Sequence, residues 1–136
     1  MKKWLSLLSV TILAVVLSAC GSDKVDENTT YSHTFSEFNL EVDYTPTEKY
    51  DASFEKDVEG LEVSIEDEVN NEKLNGDKAF EKLNPLLEKL TFDKNTPDAE
   101  VIEEVISVFG LDANYAEFDL EVLFNDGTEK AYRLIK

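Results

Sequence analysis

The spacing of hydrophobic residues changes twice along the chain. Apolar and polar residues alternate in five stretches, at residues 38–44, 50–55, 61–66, 118–124 and 130–135. A period of two predicts strands with one buried face and one face in water. Between the third and fourth of these stretches, apolar residues recur every three or four positions over residues 79–90 and 97–109. That spacing predicts two amphipathic helices.

Turn and capping residues mark the ends of these elements. Pro85 lies inside the first helical pattern and predicts a kink or a break there, because proline removes a backbone hydrogen bond. Thr96 and Pro97 predict the start of the second helix, with threonine as its N-cap and proline at its first position. Gly110 predicts a left-handed end to that helix. The sequence Asn125-Asp126-Gly127 predicts a hairpin turn between the last two strands.

The predicted order is therefore three strands, two helices and two strands. Short loops favour antiparallel pairing of successive strands. We expect one α+β domain over residues 34–136, with two layers: an antiparallel sheet of about five strands and both helices on one face. EFNLEVDY from Glu37 and EFDLEVLF from Glu117 share five of eight residues. Either one-sided strands simply draw on few residue types, or these two strands lie side by side.

The first twenty residues have the order of a secretory signal. Two lysines precede an uncharged apolar run over residues 4–17, which is shorter than the roughly 20 residues that cross a membrane as a helix. The first twenty residues end in Leu17-Ser18-Ala19-Cys20, which resembles the lipobox of bacterial lipoproteins. That resemblance implies a signal peptide over residues 1–19, recognition through Leu17, Ser18 and Ala19, and a diacylglyceryl group on Cys20. The alternative is an ordinary secretory signal in which Cys20 is incidental.

A lipid on Cys20 would anchor the protein to the extracytoplasmic face of the cell membrane. Two acyl chains give stable anchoring, whereas one chain binds only marginally. After the cysteine the chain is polar and shows no apolar period, so residues 20–33 are predicted to form a flexible tether.

Charge and cysteine content exclude several classes of function. The chain has 30 Asp and Glu against 13 Lys and Arg, a net charge of −17. Nucleic acid is not an expected partner, because its binding requires clustered basic residues. The only cysteine is Cys20, which excludes an intrachain disulfide and a cysteine-rich metal site. Repulsion from anionic headgroups also implies that membrane attachment depends on the lipid.

The residues give no pattern for catalysis, so we expect no enzyme, no cofactor and no metal. A serine or cysteine nucleophile usually needs a neighbouring base, most often histidine. His33 is the only histidine, and at the end of the predicted tether we expect it to be exposed. A loose cluster of oxygen ligands at residues 66–72 matches no calcium-loop template.

The remaining functional signal is acidic. The polar positions of the first and fourth predicted strands include six carboxylates, Glu37, Glu41, Asp43, Glu117, Asp119 and Glu121. Neighbouring strands would join them into one patch, at a cost in stability because like charges would face each other. Such a patch either steers a basic envelope protein or peptide or keeps the protein soluble near an anionic surface. We therefore expect a non-catalytic interaction module; the alternative is a lipoprotein that binds a small ligand or Ca²⁺.

Four segments of the predicted domain form a further pattern: FNLEVDY at 38–44, EDEVNNEKLNGDKAF at 66–80, LTFDK at 90–94 and FDLEVLFNDGTEKAY at 118–132. Through these segments, residues 35–136 resemble the YusW-like family, small secreted or lipid-anchored proteins of Gram-positive bacteria. The family implies a single domain and no established activity, so the resemblance assigns no functional residue.

Overall fold

The computed structural model describes residues 24–136, which form a six-stranded antiparallel sheet and two helices. Along the chain the elements are β1 (Phe35–Thr45), β2 (Glu48–Asp57), β3 (Gly60–Asp67), β4 (Glu72–Asn75), α1 (Gly76–Lys89), α2 (Asp98–Phe109), β5 (Glu117–Phe124) and β6 (Glu129–Ile135). The predicted signal peptide and Cys20 lie outside the described residues. Within residues 24–136, no helix has the length and hydrophobicity needed to span a membrane.

The strands lie in the order β4-β3-β2-β1-β5-β6, and β1 therefore has β2 on one side and β5 on the other. Leu40 of β1 pairs with Ala52 of β2 and with Leu120 of β5, both in antiparallel register. The two strands with similar sequences, β1 and β5, are thus neighbours, which confirms the second interpretation of their likeness.

The α+β class and the antiparallel pairing are as predicted, but the sheet has six strands and not about five. The additional strand, β4, is four residues long and pairs with residues 64–67 of β3. Leu74 is its only apolar residue, so alternation could not reveal it. The turn before β4 is held by Asp67, whose carboxylate accepts hydrogen bonds from the backbone N–H (3.0 Å) and side-chain amide (2.8 Å) of Asn70.

One face of the sheet is buried. Phe38, Phe54 and Phe118 point to this face from three adjacent strands and are inaccessible to solvent. Buried residues of both helices, among them Leu83 of α1 and Val105 of α2, belong to the same apolar core. Burial of a large apolar side chain contributes about 1.5–3 kcal/mol, so this core is the main source of stability.

Both helices differ in detail from the prediction. A kink or a break was expected at Pro85, and the break is excluded because α1 is continuous through this residue. Pro85 is exposed, so water can satisfy the carbonyl that the proline leaves free. The N-cap of α2 is Pro97 and not Thr96. The Thr96 hydroxyl instead accepts the Asp93 N–H at 3.0 Å in the preceding turn. Gly110 ends α2 with φ of 64°, which confirms the left-handed stop.

Residues 24–33 of the predicted tether pack against the domain. The folded part of the chain therefore begins before residue 34, where the domain was predicted to start. Lys24 forms a β-bridge with Glu62, and the Val25 N–H donates to the Leu61 carbonyl at 2.8 Å. These contacts cover the part of the β3 edge that the short β4 leaves open. Val25 joins the core with 8% exposure. Of the predicted tether, only residues 20–23 lie outside the described residues.

The prediction that His33 is exposed is wrong. Its ring stacks on Phe35 at 5.3 Å between centroids and meets the edge of Phe54 at 5.2 Å. Its Nε2 lies 2.7 Å from the Oδ1 of Asn84 in α1. These contacts make His33 a structural residue that links the N-terminal segment to the sheet and to α1.

Candidate functional site: the acidic outer face

The face of the sheet that points away from the core is acidic, and we call it the outer face. All six carboxylates singled out from the sequence lie on it, because Glu41 pairs with Asp119, and Asp43 pairs with Glu117, across β1 and β5. Glu37 lies further along β1, and Glu121 follows Asp119 in phase along β5. The pairing of β1 with β5 therefore joins the six into one patch.

Further carboxylates extend the patch over β2 and β3, among them Asp51 and Glu66. Asp51 lies between Glu41 of β1 and Glu66 of β3. Glu66, Asp51, Glu41 and Asp119 consequently form a line across four strands, which we call the carboxylate row. Lys73 of β4 and Arg133 of β6 lie at its two ends. The alternation in the sequence indicates that Asp51 and Glu66 point outward, but only the strand order places them beside Glu41.

A shallow groove of about 300 Å³ follows the centre of the outer face. Polar side chains that line it are Asn39, Glu41, Asp51, Ser53, Asp119 and Glu121. Within the groove, the Ser53 hydroxyl donates to the Asn39 side-chain oxygen at 2.7 Å, which fixes both groups across β1 and β2. The groove thus has a hydrogen-bonded Ser53–Asn39 pair at its centre and carboxylates from three strands around it.

The carboxylates of the outer face interact unfavourably with one another. Burial raises the pKa of Asp51 to about 6, with further contributions from Glu41 and Glu66 that outweigh the opposing charge of Lys49. Burial, followed by Glu55, also raises the pKa of Glu37. An increased pKa of a carboxyl means that its charged form is disfavoured at this position.

Basic residues neutralise this face only in part. Arg133 Nε donates to Asp119 at 3.0 Å, and Lys49 Nζ lies 3.9 Å from both Glu41 and Asp43. Within residues 24–136, no ion pair reaches Asp51 or Glu66. In the same part of the chain, Asp43 Oδ1 is buried without a hydrogen-bond partner. Carboxylates of the outer face, Asp51 and Glu66 among them, therefore lack a basic partner within the described part of the chain.

The arrangement of donor atoms gives no metal centre in the part of the chain that the structure describes, where no three His, Cys, Asp or Glu side chains come together to hold an ion. The oxygen-rich stretch at residues 66–72 serves local structure. Asp67 holds the β3–β4 turn, and Glu68 Oε1 accepts the Lys49 N–H at 3.1 Å. Glu72 forms an ion pair with Lys82 of α1.

Comparisons with known proteins agree on one family. The family described as YusW-like protein matches residues 36–126. The uncharacterized protein YusW of Bacillus subtilis (strain 168) is 27% identical over 96 residues, which cover 69% of this chain and 66% of that protein. The chain therefore spans slightly less than two thirds of the length of this curated relative. No solved structure gives a significant match.

Proposed function

We propose a function from the premise that the chain belongs to the YusW-like family. In this proposal the protein is a non-catalytic interaction module, held on the extracytoplasmic face of the cell membrane by a lipid on Cys20. Its outer face binds a basic segment of an envelope protein or peptide. Lysine and arginine side chains of that segment lie along the groove and pair with the carboxylates beside it.

The single observation that carries this proposal is the carboxylate row. Four acidic residues in adjacent strands face one another directly, although like charges in this position destabilise a sheet. A basic partner would relieve their repulsion and would supply positive charge to Asp51 and Glu66, which have no ion-pair partner among the described residues. Complementary charge also increases association rates and discriminates against acidic surfaces.

The proposed location depends on the N-terminal residues. Lysines at positions 2 and 3, an apolar run and Leu17-Ser18-Ala19-Cys20 follow one another in the order that a lipoprotein signal requires. A lipid of two chains suffices for stable anchoring. With this anchor the acidic body would remain in solution beside the membrane, where it can meet other envelope proteins.

Charge reversal on two surfaces tests the binding surface. Affinity-tagged protein is used to capture partners from a Gram-positive envelope extract, and Glu117→Lys/Glu121→Lys is compared with Glu100→Lys/Glu103→Lys. The two double variants change the net charge equally, but the second pair lies on the exposed side of α2. We expect the outer-face variant to lose the captured basic protein and the helix variant to retain it. Equal capture by both variants would contradict the proposal.

A further inference from the structure

A second cavity, which we call the end cavity, lies where β1 turns into β2 and where α2 ends. Its volume is about 390 Å³, within the lower part of the ~300–1,000 Å³ range of small-molecule sites. Tyr44 and Tyr50 line it from the two strands, Val69 from the β3–β4 turn, and Leu111 from the segment after α2. Four separate parts of the chain thus converge on one concave site, which shares no lining residue with the groove of the outer face.

The Tyr50 side chain is held rigidly, but its hydroxyl is unused. Tyr50 is 6% exposed, and its ring meets Phe109 edge to face at 6.2 Å. Its hydroxyl donates to and accepts from no other residue within 24–136. The neighbouring Tyr44 differs, because its hydroxyl donates to the Asp112 carbonyl at 3.0 Å. Unlike the Tyr132 hydroxyl, the Tyr50 hydroxyl is not a buried group without a partner among the described residues, so it is open to the cavity that Tyr50 lines and is free to accept a hydrogen bond from a group that enters it.

The charge of the end cavity is negative. Asp67, itself 8% exposed, lies directly opposite Tyr50 across β2 and β3 and lines the cavity. Asn70 fixes the orientation of the Asp67 carboxylate through two hydrogen bonds. Glu48 and Asp112 also line the cavity, whereas no lysine or arginine among the described residues does. The ring faces of tyrosines favour a cation as well.

We infer that the end cavity binds a small organic cation, an amine with an apolar body. The ammonium group donates to the Asp67 carboxylate and to the Tyr50 oxygen, and the apolar body packs on Val69 and Leu111. This inference goes beyond the proposed function, since it uses different residues on the opposite side of the sheet. It would stand if the outer face bound nothing.

Three probes of similar shape test the inference: phenethylamine, 2-phenylethanol and phenylacetate, which are cationic, neutral and anionic at pH 7. Each is titrated into ¹⁵N-labelled protein while amide shifts are followed by NMR. Phenethylamine should shift the amides of Val69, Asn70 and Leu111 and should bind at least about tenfold more tightly than either other probe. Shifts centred on Asn39 and Ser53 would mean binding to the outer face and would overturn the inference. Equal affinity for all three probes, or no shifts at all, would overturn it too.

Removal of single hydroxyls then tests whether the Tyr50 hydroxyl takes part in binding. Tyr50→Phe should weaken phenethylamine binding about tenfold, the loss expected for one hydrogen bond to a charged group. Tyr132→Phe removes a hydroxyl from another buried tyrosine, far from the cavity, and should leave the affinity unchanged. Glu48→Gln, which removes a negative charge at an exposed position of the cavity rim, should also weaken binding. Unchanged affinity in both Tyr50→Phe and Glu48→Gln would contradict the inference.

Discussion

Asp51 and Glu41 lie directly opposite each other on the outer face of the sheet. Burial first, and then the charges of Glu41 and Glu66, raise the pKa of Asp51 to about 6, against a partial opposing effect of Lys49. A carboxyl whose pKa is higher in the folded state binds its proton more tightly there. The stabilisation that protonated Asp51 gives to the folded state is therefore complete below about pH 4, the ordinary pKa range of aspartate. It is lost as the pH rises through 6.

The first prediction concerns Asp51→Asn, which removes this titration. At pH 7 the variant should be more stable than the parent by on the order of 1 kcal/mol, a value reduced for solvent screening at this half-buried position. Below pH 4 the advantage should disappear. Urea unfolding at several pH values measures both effects. Glu103→Gln makes the same chemical change on the exposed side of α2 and should show no such pH dependence. An Asp51→Asn effect that is equal at pH 4 and pH 7 would contradict this assignment.

The second prediction compares two tyrosine hydroxyls. Tyr132 is fully buried, and its hydroxyl has no hydrogen-bond partner among the described residues, a state that costs about 1–3 kcal/mol. Tyr132→Phe should therefore raise the free energy of unfolding by about 1 kcal/mol. Tyr44→Phe should lower it by about 1 kcal/mol, because that hydroxyl donates to the Asp112 carbonyl. Chemical denaturation measures both, and changes of the same sign in the two variants would refute the assignment.

Much of the fold follows from local patterns. Alternation predicted the long strands, Gly110 predicted the end of α2, and the likeness of β1 and β5 indicated that they are neighbours. β4 was missed because four residues with one apolar side chain carry no period, and its pairing depends on the Asp67 turn. Packing of the N-terminal segment was also missed. Val25 is a single aliphatic residue in a polar stretch, and its burial depends on the open edge of β3.

For the candidate site, the sequence predicts which residues of each strand point outward, but not how the strands are aligned with one another. The outward phase of Glu41 and Asp119 is visible in the sequence, whereas the alignment of Glu66 and Asp51 with them depends on register across four strands. The end cavity gave no sequence signal. In the sequence, Tyr50 looks like an ordinary core residue. Only the three-dimensional structure, in which the β1–β2 hairpin, the β3–β4 turn and the segment after α2 come together, shows that it lines a cavity.

The third prediction concerns the N-terminal segment. A chain that begins at residue 34 should be less stable than one that begins at residue 24 by about 3 kcal/mol, the burial energy of Val25 and Tyr31 combined. Val25→Asp in the longer chain should reproduce much of this loss. Glu27→Ala, at an exposed position of the same segment, is the control and should have little effect. Equal stability of the two chain lengths would show that the segment is a free tether in solution.

The fourth prediction concerns the anchor. Mass spectrometry of the protein purified from membranes of a Gram-positive host should show a chain that begins at Cys20 and bears a diacylglyceryl group. Cys20→Ser should abolish both this modification and the cleavage before residue 20, so the variant should retain residues 1–19 and carry no lipid. An unmodified Cys20 in membrane-bound protein would refute the proposed attachment.

Site-specific photo-crosslinking in living cells tests most directly whether the outer face is the binding surface. A photoreactive residue replaces Ser53 at the centre of the groove, and in a matched variant it replaces Ser107 on the exposed side of α2. We predict that position 53 crosslinks to an envelope protein or peptide through a lysine- or arginine-rich segment, that 150 mM added salt weakens this product by screening, and that position 107 gives no such product. Crosslinks of equal yield from both positions, or none from position 53, would contradict the account.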